Sequence, residues 1–218
     1  ITHGSYAPNG VAEYTVMAIL MSIRKAKKAL YNTNDNDFTL KGKMSRELRS
    51  LTVGVIGAGK IGYTVIKILS GFGCRILAYD MYQNDAVKEY ATYVDLDTLY
   101  KESDVITLHT NLSESTENMI DGEALSKMKN GVVLVNNARG GLVDEAALNE
   151  ALRSGEIAGA GIDAFVTEPP IGSPLLELEQ VIAAPHVAGS SMDSINNMGV
   201  FSARNVVKGF AELEEKQA

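Results

Sequence analysis

A glycine-rich turn between an apolar strand and a helix constrains this chain more than any other feature. Residues 53–56 are apolar or glycine. Gly57, Gly59 and Gly62 follow them in the spacing GxGxxG. The first glycine permits a tight turn, the second lets a phosphate approach the backbone, and the third lets helix and strand pack closely. Because the N-terminus of the helix offers free N–H groups to an anion, the pattern predicts a βαβ unit that binds a dinucleotide.

An acidic residue after the second strand narrows the choice of dinucleotide. Residues 76–79 are largely apolar, and Asp80 follows them, 18 residues after Gly62. A carboxylate at this place accepts hydrogen bonds from the hydroxyls of an adenosine ribose. It would repel a 2′-phosphate, and the next residues, Met81 and Tyr82, supply no arginine to bind one. We therefore predict NAD rather than NADP as the cofactor.

The rest of the chain alternates apolar strands with helices. The apolar runs predict strands at residues 52–57, 75–79, 104–108, 132–136, 158–162 and 180–183, with a short extra strand at 92–94. The pattern predicts helices near residues 61–72, 95–102, 121–128 and 144–154, a long helix over 11–30 and a final helix over 191–215. Strands that are apolar on both faces and alternate with helices favour an α/β fold with a doubly wound parallel sheet.

This pattern divides the chain into three segments. Residues 1–50 are expected to form an interdomain helix and connector, and residues 51–190 a Rossmann-like dinucleotide-binding domain. Residues 191–218 are expected to return as a helix to a second domain, of which only remnants at both ends are present. The sheet should place ligands at the carboxyl ends of its strands, so the loops after the strands are the candidates for chemistry.

The overall composition argues against several kinds of partner. The net charge is −7, and no run of lysine and arginine is present, which argues against a nucleic-acid surface. The most apolar helical stretch, residues 11–23, contains Glu13 and is too short to cross a bilayer. The single cysteine, Cys74, fits a reducing compartment. We therefore expect a cytoplasmic protein with no nucleic-acid or membrane partner and no bound metal ion.

An arginine follows one of the predicted buried strands directly. Arg139 lies three residues after the predicted strand 132–136 and is flanked by Ala138 and glycine. A guanidinium at this edge of the sheet can hold a carboxylate through two hydrogen bonds. The alternative is that Arg139 pairs with a neighbouring acidic residue. Asp144, in the same loop, is expected to cap the next helix.

Glu168 and His186 lie in the next two loops at the same edge. A glutamate in a loop is usually just solvated, and a lone histidine at a strand end is more often structural. Together, however, they can form a carboxylate–imidazole pair that fixes the tautomer and keeps a proton available near neutral pH. With Arg139 to anchor a carboxylate, Glu168 to orient the imidazole and His186 to exchange a proton, the three suit interconversion of a 2-hydroxy acid and a 2-oxo acid beside a nicotinamide.

Five segments, in this order, resemble the D-isomer-specific 2-hydroxyacid dehydrogenases. The segments are residues 6–13 (YAPNGVAE), 57–62, 137–144 (NARGGLVD), 163–169 (DAFVTEP) and 185–189 (PHVAG). By this resemblance Arg139, Glu168 and His186 match the catalytic residues of the family. The resemblance also implies a small 2-oxo or 2-hydroxy acid substrate, NAD as cofactor and a homodimer.

The resemblance further implies which residues contact the cofactor. Asp80 matches the ribose-binding acid, and Asp163 matches an acid near the nicotinamide carboxamide. His109 and Thr110 match a segment that lines the cofactor. The expected cofactor contacts are Gly57, Gly59, Lys60, Ile61, Gly62, Asp80, His109, Thr110, Ala138, Arg139, Asp163, His186 and Gly189.

Some questions stay open from the sequence. The family has a long segment before the part that matches residues 6–13, so we expect the chain as given to bind NAD but to turn over poorly or not at all. Formate dehydrogenases share the fold but have glutamine where this chain has Glu168. NAD-sensing transcriptional co-repressors share both fold and residues, although an acidic chain without a basic tail gives them no support. Different segments resemble D-lactate and phosphoglycerate dehydrogenases, so the particular substrate is open.

Overall fold

The structure is a computed structural model that describes residues 8–217, with side chains described through residue 208. Tyr6 and Ala7, at the start of the first family-like segment, lie outside the described residues. The helices are α1 Asn9–Ile23, α2 Ala26–Asn34, α3 Lys60–Ser70, α4 Leu96–Glu102, α5 Gly122–Lys127, α6 Glu145–Ser154 and α7 Met192–Gln217. The strands are β1 Thr52–Ile56, β2 Arg75–Tyr79, β3 Thr92–Tyr93, β4 Val105–Leu108, β5 Val132–Asn136, β6 Ile157–Ile162 and β7 Val181–Ala183.

One sheet holds all the strands found between residues 8 and 217. Their order is β3-β2-β1-β4-β5-β6-β7, and every neighbouring pair is parallel. The prediction of a doubly wound parallel sheet is confirmed, including the short extra strand. The chain runs outward in both directions from β1 and β4, so a crevice for ligands opens where these two strands end.

Helices cover both faces of the sheet because its central strands are apolar on both sides. In β5, Val133 and Val135 belong to an apolar cluster with α1 and α3. Leu134, between them, belongs to a second cluster with α4, α5 and α6. This alternation follows from the two-residue period of a strand. Burying apolar surface on both faces stabilises the folded state by about 25 cal/mol for each Å² that is removed from water.

Aspartates mark the starts of the helices on the second face. The side chains of Asp95, Asp121 and Asp144 each accept a hydrogen bond from a backbone N–H in the first turn of α4, α5 and α6. The Asp144 carboxylate accepts two, from Ala146 N at 2.9 Å and Ala147 N at 3.1 Å. Its predicted capping role is confirmed, and the cap begins α6 immediately after the Arg139 loop.

The prediction of one helix over residues 11–30 is wrong. The chain forms two helices because Lys25 takes a left-handed backbone conformation, with φ of 50°, between Ile23 and Ala26. α1 packs its apolar face on the sheet, whereas α2 has no buried residue. The turn brings Lys27 to the edge of the sheet, where its ammonium donates to the carbonyls of Leu178 and Val181 at 3.1 and 2.7 Å.

Many of the exposed large apolar side chains lie in two regions, one after α1 and one along α7. The first region comprises Leu30, Tyr31, Phe38, Leu40 and Met44, and the second comprises Met192, Ile195, Met198, Val200, Val206 and Val207. None of the described helices has the length and apolar character needed to cross a membrane.

Candidate active site

A cavity of about 330 Å³ opens at the carboxyl ends of the central strands. Its lining includes several residues predicted from the sequence: Ile61, His109, Thr110, Ala138, Arg139, His186 and Gly189. It also includes residues that the sequence did not indicate as site residues: Val11, Asn111, Asn137, Ala188, Ser190 and Met198. The fold therefore brings together segments that are far apart in the chain, from the start of α1 to α7.

The glycine-rich turn lies beside this cavity, and its three glycines differ in their surroundings. Gly57 has φ of 92°, and a Cβ there would lie 2.6 Å from the backbone of His109. A Cβ on Gly62 would overlap the carbonyl oxygen of Gly57. Gly59, in contrast, has open space around the position of a Cβ. Packing thus requires glycine at two positions, and at the third glycine leaves room for a ligand to approach the backbone.

The N-terminus of α3 has the free donors that an anion needs. Gly59 precedes the helix, and no side chain among the described residues caps the first turn. The N–H groups of Lys60 and Ile61 have no partner within the helix, because the first four amides of any helix lack one. The turn and the helix end therefore fit a pyrophosphate group.

Asp80 lies at the end of β2, next to the same turn. One carboxylate oxygen accepts from Ala58 N at 2.7 Å, and the other accepts from Tyr82 N at 2.9 Å. Asp80 also lines an open crevice of about 570 Å³, together with Tyr79 and Thr98. The backbone holds the carboxylate beside this open crevice, and the ribose-binding role of Asp80 stays a prediction.

Arg139 lies at the end of β5 in a loop that is held from two sides. Asn136 donates from its side-chain amide to the carbonyl of Arg139 at 2.8 Å, and its side-chain oxygen accepts from Ala138 N at 3.1 Å. On the other side, a Cβ on Gly140 would overlap the backbone of Phe165. The guanidinium is exposed and donates to the carbonyl of Ala138 at 2.7 Å. Its remaining donors can bind an anionic ligand.

Glu168 and His186 form the predicted pair. The imidazole Nδ1 lies 2.9 and 3.0 Å from the two carboxylate oxygens of Glu168. Phe165 N also donates to the Glu168 carboxylate, at 3.1 Å. His186 has a left-handed backbone conformation, with φ of 56°. Because Nδ1 faces the carboxylate, the tautomer is set and Nε2 is left for another partner.

The environment keeps Glu168 ionised. Burial raises the pKa of Glu168, but the hydrogen bonds from His186 and Phe165 N and the charges of His186 and Arg139 outweigh it. The net effect is a pKa below the ordinary value of 4.5. A negative carboxylate therefore faces the imidazole at neutral pH.

Asp163 has a role in the structure that the sequence did not indicate. Its side chain is buried, and its two carboxylate oxygens accept from Val187 N at 2.9 Å and Ala188 N at 2.7 Å. These bonds hold the loop that carries His186. The predicted contact of Asp163 with the nicotinamide carboxamide stays a prediction.

His109 is neutral at physiological pH. Although the residue is only half-buried overall, burial of its ring lowers the pKa from 6.5 to about 3. Its Nε2 lies 3.0 Å from the hydroxyl of the buried Thr107. The side chain therefore presents an uncharged ring to the cavity beside the glycine turn.

The comparisons with known proteins agree with this geometry. Residues 16–188 match the family described as D-isomer specific 2-hydroxyacid dehydrogenase, NAD binding domain. An aromatic 2-oxoacid reductase of Clostridium sporogenes is 39% identical over 217 residues, covering 93% of this chain and 66% of the relative. A hydroxypyruvate reductase of Thermotoga maritima is 40% identical over 210 residues, covering 95% of this chain and 68% of the relative.

Solved structures of this family also match the chain. The D-lactate dehydrogenase of Aquifex aeolicus, complexed with NAD and lactic acid, matches with a TM-score of 0.90 and 35% identity, covering 98% of this chain and 69% of that one. The chain thus spans about two thirds of the length of the proteins it matches. It belongs to the D-isomer specific 2-hydroxyacid dehydrogenase family and contains that family's NAD binding domain.

Proposed function

We propose that the protein is an NAD-dependent oxidoreductase that interconverts a D-2-hydroxy acid and the corresponding 2-oxo acid. The observation that carries the proposal is the hydrogen-bonded pair of Glu168 and His186, at 2.9 and 3.0 Å, whose imidazole lines the same cavity as Arg139. A cationic anchor and a proton donor with a fixed tautomer are the groups that this reaction needs.

Each of the three side chains has a separate task in this mechanism. The guanidinium of Arg139 binds the substrate carboxylate and polarises the adjacent carbonyl. Nε2 of His186 donates a proton to the carbonyl oxygen during reduction and accepts it in the reverse direction. The Glu168 carboxylate holds Nδ1 and stabilises the charged imidazolium in the oxidation direction. When bound, the nicotinamide supplies or accepts the hydride.

The cofactor contacts are part of the same proposal. The turn at Gly57–Gly62 and the first residues of α3 hold the pyrophosphate, and Asp80 binds the adenosine ribose. His109, Thr110, Ala138, Asp163 and Gly189 border the nicotinamide end. The open space at Gly59 and the uncapped start of α3 support this assignment.

Residues 1–50, 51–190 and 191–218 are proposed as connector, cofactor domain and returning helix. The exposed apolar side chains around α2 support a homodimer, because surfaces of this kind mark contacts with other chains. A cytoplasmic location is proposed from the single cysteine. No observation favours a formate dehydrogenase or a co-repressor.

Arg139→Ala in the full-length protein tests the proposal directly. Arg153→Ala is a matched control, since Arg153 is also exposed, lies 3.8 Å from Glu177 and does not line the cavity. The assay is oxidation of NADH with a panel of 2-oxo acids. We expect Arg139→Ala to lower kcat/KM at least about 100-fold, with NADH binding retained and the control like the native protein. No turnover by the native protein with any 2-oxo acid, or full turnover by Arg139→Ala, would contradict the proposal.

A further inference from the structure

α1 touches the loop that carries His186. At the start of α1, a Cβ on Gly10 would lie 2.8 Å from Ser194 Oγ, so the helix meets the beginning of α7 at very close range. A Cβ on Gly189 would lie 3.8 Å from the side chain of Val11. The first turn of α1 is therefore packed against the segment that follows His186.

One turn further on, α1 touches the loop that carries Arg139. Asn137 Nδ2 donates to Thr15 Oγ1 at 3.1 Å, across 122 residues of chain. The two residues are 7% and 0% exposed. Because the Thr15 hydroxyl donates its own proton to the carbonyl of Val11 at 2.8 Å, its oxygen can only accept from Asn137. This settles the orientation of the Asn137 amide.

The other end of this amide is its oxygen, Oδ1. Asn137 Oδ1 is buried and makes no hydrogen bond with the residues that the structure describes. The bond to Thr15 is therefore the one side-chain hydrogen bond of Asn137 in that part of the chain. Without the Thr15 hydroxyl, both ends of the buried Asn137 amide would lack a partner. Because unpaired buried polar groups cost free energy, the side chain and its loop would then move.

Asn137 lies two residues before Arg139. The bonds of Asn136 hold the loop internally, to Ala138 N and the carbonyl of Arg139, and do not relate it to α1. The geometry points to Thr15 and Asn137 as a positioning pair, through which α1 sets the place of Arg139 relative to the His186 loop. This inference rests on the proposed function, and neither residue of the pair is a catalytic residue.

The pair should affect substrate binding more than cofactor binding. A shift of the guanidinium weakens two directional hydrogen bonds to a carboxylate, and small misplacements of such anchors are costly. The glycine turn and Asp80, which lie at the ends of β1 and β2, are not attached to this bond. The expected signature is a KM for the 2-oxo acid that rises more than the Kd for NADH, because Ala138 of the same loop also borders the proposed nicotinamide site.

Thr15→Val in the full-length protein removes the hydroxyl and keeps the shape of the side chain. Thr15→Ser keeps the hydroxyl and serves as the conservative rescue. Thr33→Val is the matched control, because Thr33 Oγ1 makes the same bond to a carbonyl four residues earlier, Ala29 at 2.9 Å, but is exposed on α2. The measurements are steady-state kinetics, NADH binding by calorimetry and amide hydrogen exchange of residues 137–143.

We expect Thr15→Val to raise the KM for the 2-oxo acid about tenfold, with the Kd for NADH changed less than about twofold. Exchange of residues 137–143 should be faster in Thr15→Val, and both Thr15→Ser and Thr33→Val should resemble the native protein. The inference is overturned if Thr15→Val has the same KM and the same hydrogen exchange as the native protein. It is also overturned if Thr15→Val loses NADH binding and substrate binding equally and Thr15→Ser shows the same losses.

Failure of the proposed function would be visible separately. If the native protein reduces no 2-oxo acid, the enzymatic proposal fails before any variant is compared. The positioning role of Thr15 and Asn137 is then tested by hydrogen exchange alone. Unchanged exchange of residues 137–143 in Thr15→Val refutes this role, and faster exchange supports it.

Discussion

At the scale of single residues, hydrogen bonds from neighbours position the side chains and loops of the proposed active site. Glu168 holds the imidazole of His186, Asp163 holds the backbone of the same loop, and Asn136 holds the backbone around Arg139. The side chains that touch a ligand thus depend on neighbours that do not. Substitutions of either kind should be distinguishable by their kinetics.

Glu168→Gln should lower kcat about 100-fold at neutral pH, with NADH binding unchanged. The amide can still accept from Nδ1, but it has no charge to stabilise the imidazolium. Glu177→Gln, an exposed glutamate beside β7, is the control. The measurement is the kcat of both variants by steady-state kinetics. A native kcat in Glu168→Gln would show that the pair of Glu168 and His186 has only a structural role.

The same variant should show a defined dependence of stability on pH. The pKa of Glu168 is below 4.5 in the folded protein, so its ionised form contributes stability above pH 4.5, and this contribution disappears as the pH falls through the lowered value. Since the side chain is 42% exposed, the contribution should be about 1 kcal/mol or less. Urea unfolding should show Glu168→Gln less stable than the native protein at pH 7 and equal to it in acid.

Asp80→Ala should weaken NAD binding about tenfold or more and reduce the preference over NADP. Asp80→Asn is the informative partner, because it keeps the shape of the side chain and one of the two oxygens that accept from Ala58 N and Tyr82 N, but removes the charge. We expect Asp80→Asn to gain affinity for NADP relative to NAD, as measured by calorimetry. Equal affinity of the native protein for both cofactors would refute the role of Asp80.

At the scale of elements, the start of α3 and the glycine turn are the proposed binding unit for the dinucleotide. The turn is specified locally, by the spacing of Gly57, Gly59 and Gly62 between an apolar strand and a helix. The elements around it, α1 among them, take their places only through packing on the sheet. Substitution of single glycines in the turn can therefore distinguish an effect on protein stability from an effect on NAD binding.

Gly59→Ala and Gly62→Ala should have opposite effects. The methyl group at residue 59 has open space, so stability should stay near native while NAD binding is lost. The methyl group at residue 62 overlaps the backbone of Gly57, so the free energy of unfolding should fall by about 3 kcal/mol. Denaturant unfolding and NAD titration of both variants test this. Native NAD affinity in Gly59→Ala would exclude a close approach of phosphate there.

At the scale of the whole molecule, the exposed apolar side chains near α2 have no covering partner among the described residues. Phe38, Leu40 and Met44 are 77%, 76% and 77% exposed. Surfaces of this kind usually lie in contacts between chains, and stable contacts bury on the order of 1,600 Å² in total. The proposed homodimer would cover them.

The variant Phe38→Asp with Leu40→Asp should therefore convert a dimer into a monomer. Ile171→Asp is the control, because Ile171 is 90% exposed but lies in the loop after Pro170, outside the segment 26–44. Sedimentation velocity of the native protein and both variants gives the oligomeric state directly. A monomeric native protein, or a dimer unaffected by the double substitution, would disprove this interface.

The amino-acid sequence by itself determined the sheet class, the cofactor turn and the candidate side chains, because these depend on local signals. Apolar runs, glycine spacing and helix caps act over a few residues. Even within this range, the break between α1 and α2 escaped prediction, since Lys25 takes a conformation that its residue type does not indicate.

Only the tertiary structure decided which candidates meet and what holds them. The bond between Glu168 and His186 spans 18 residues, that between Asp163 and Ala188 spans 25, and that between Thr15 and Asn137 spans 122. Such contacts depend on the angles at which helices and loops pack on the sheet, and these angles arise from the sum of many side-chain contacts. A pattern in the sequence can place a residue at the edge of a sheet, but the packing of the whole chain decides which partner it has there.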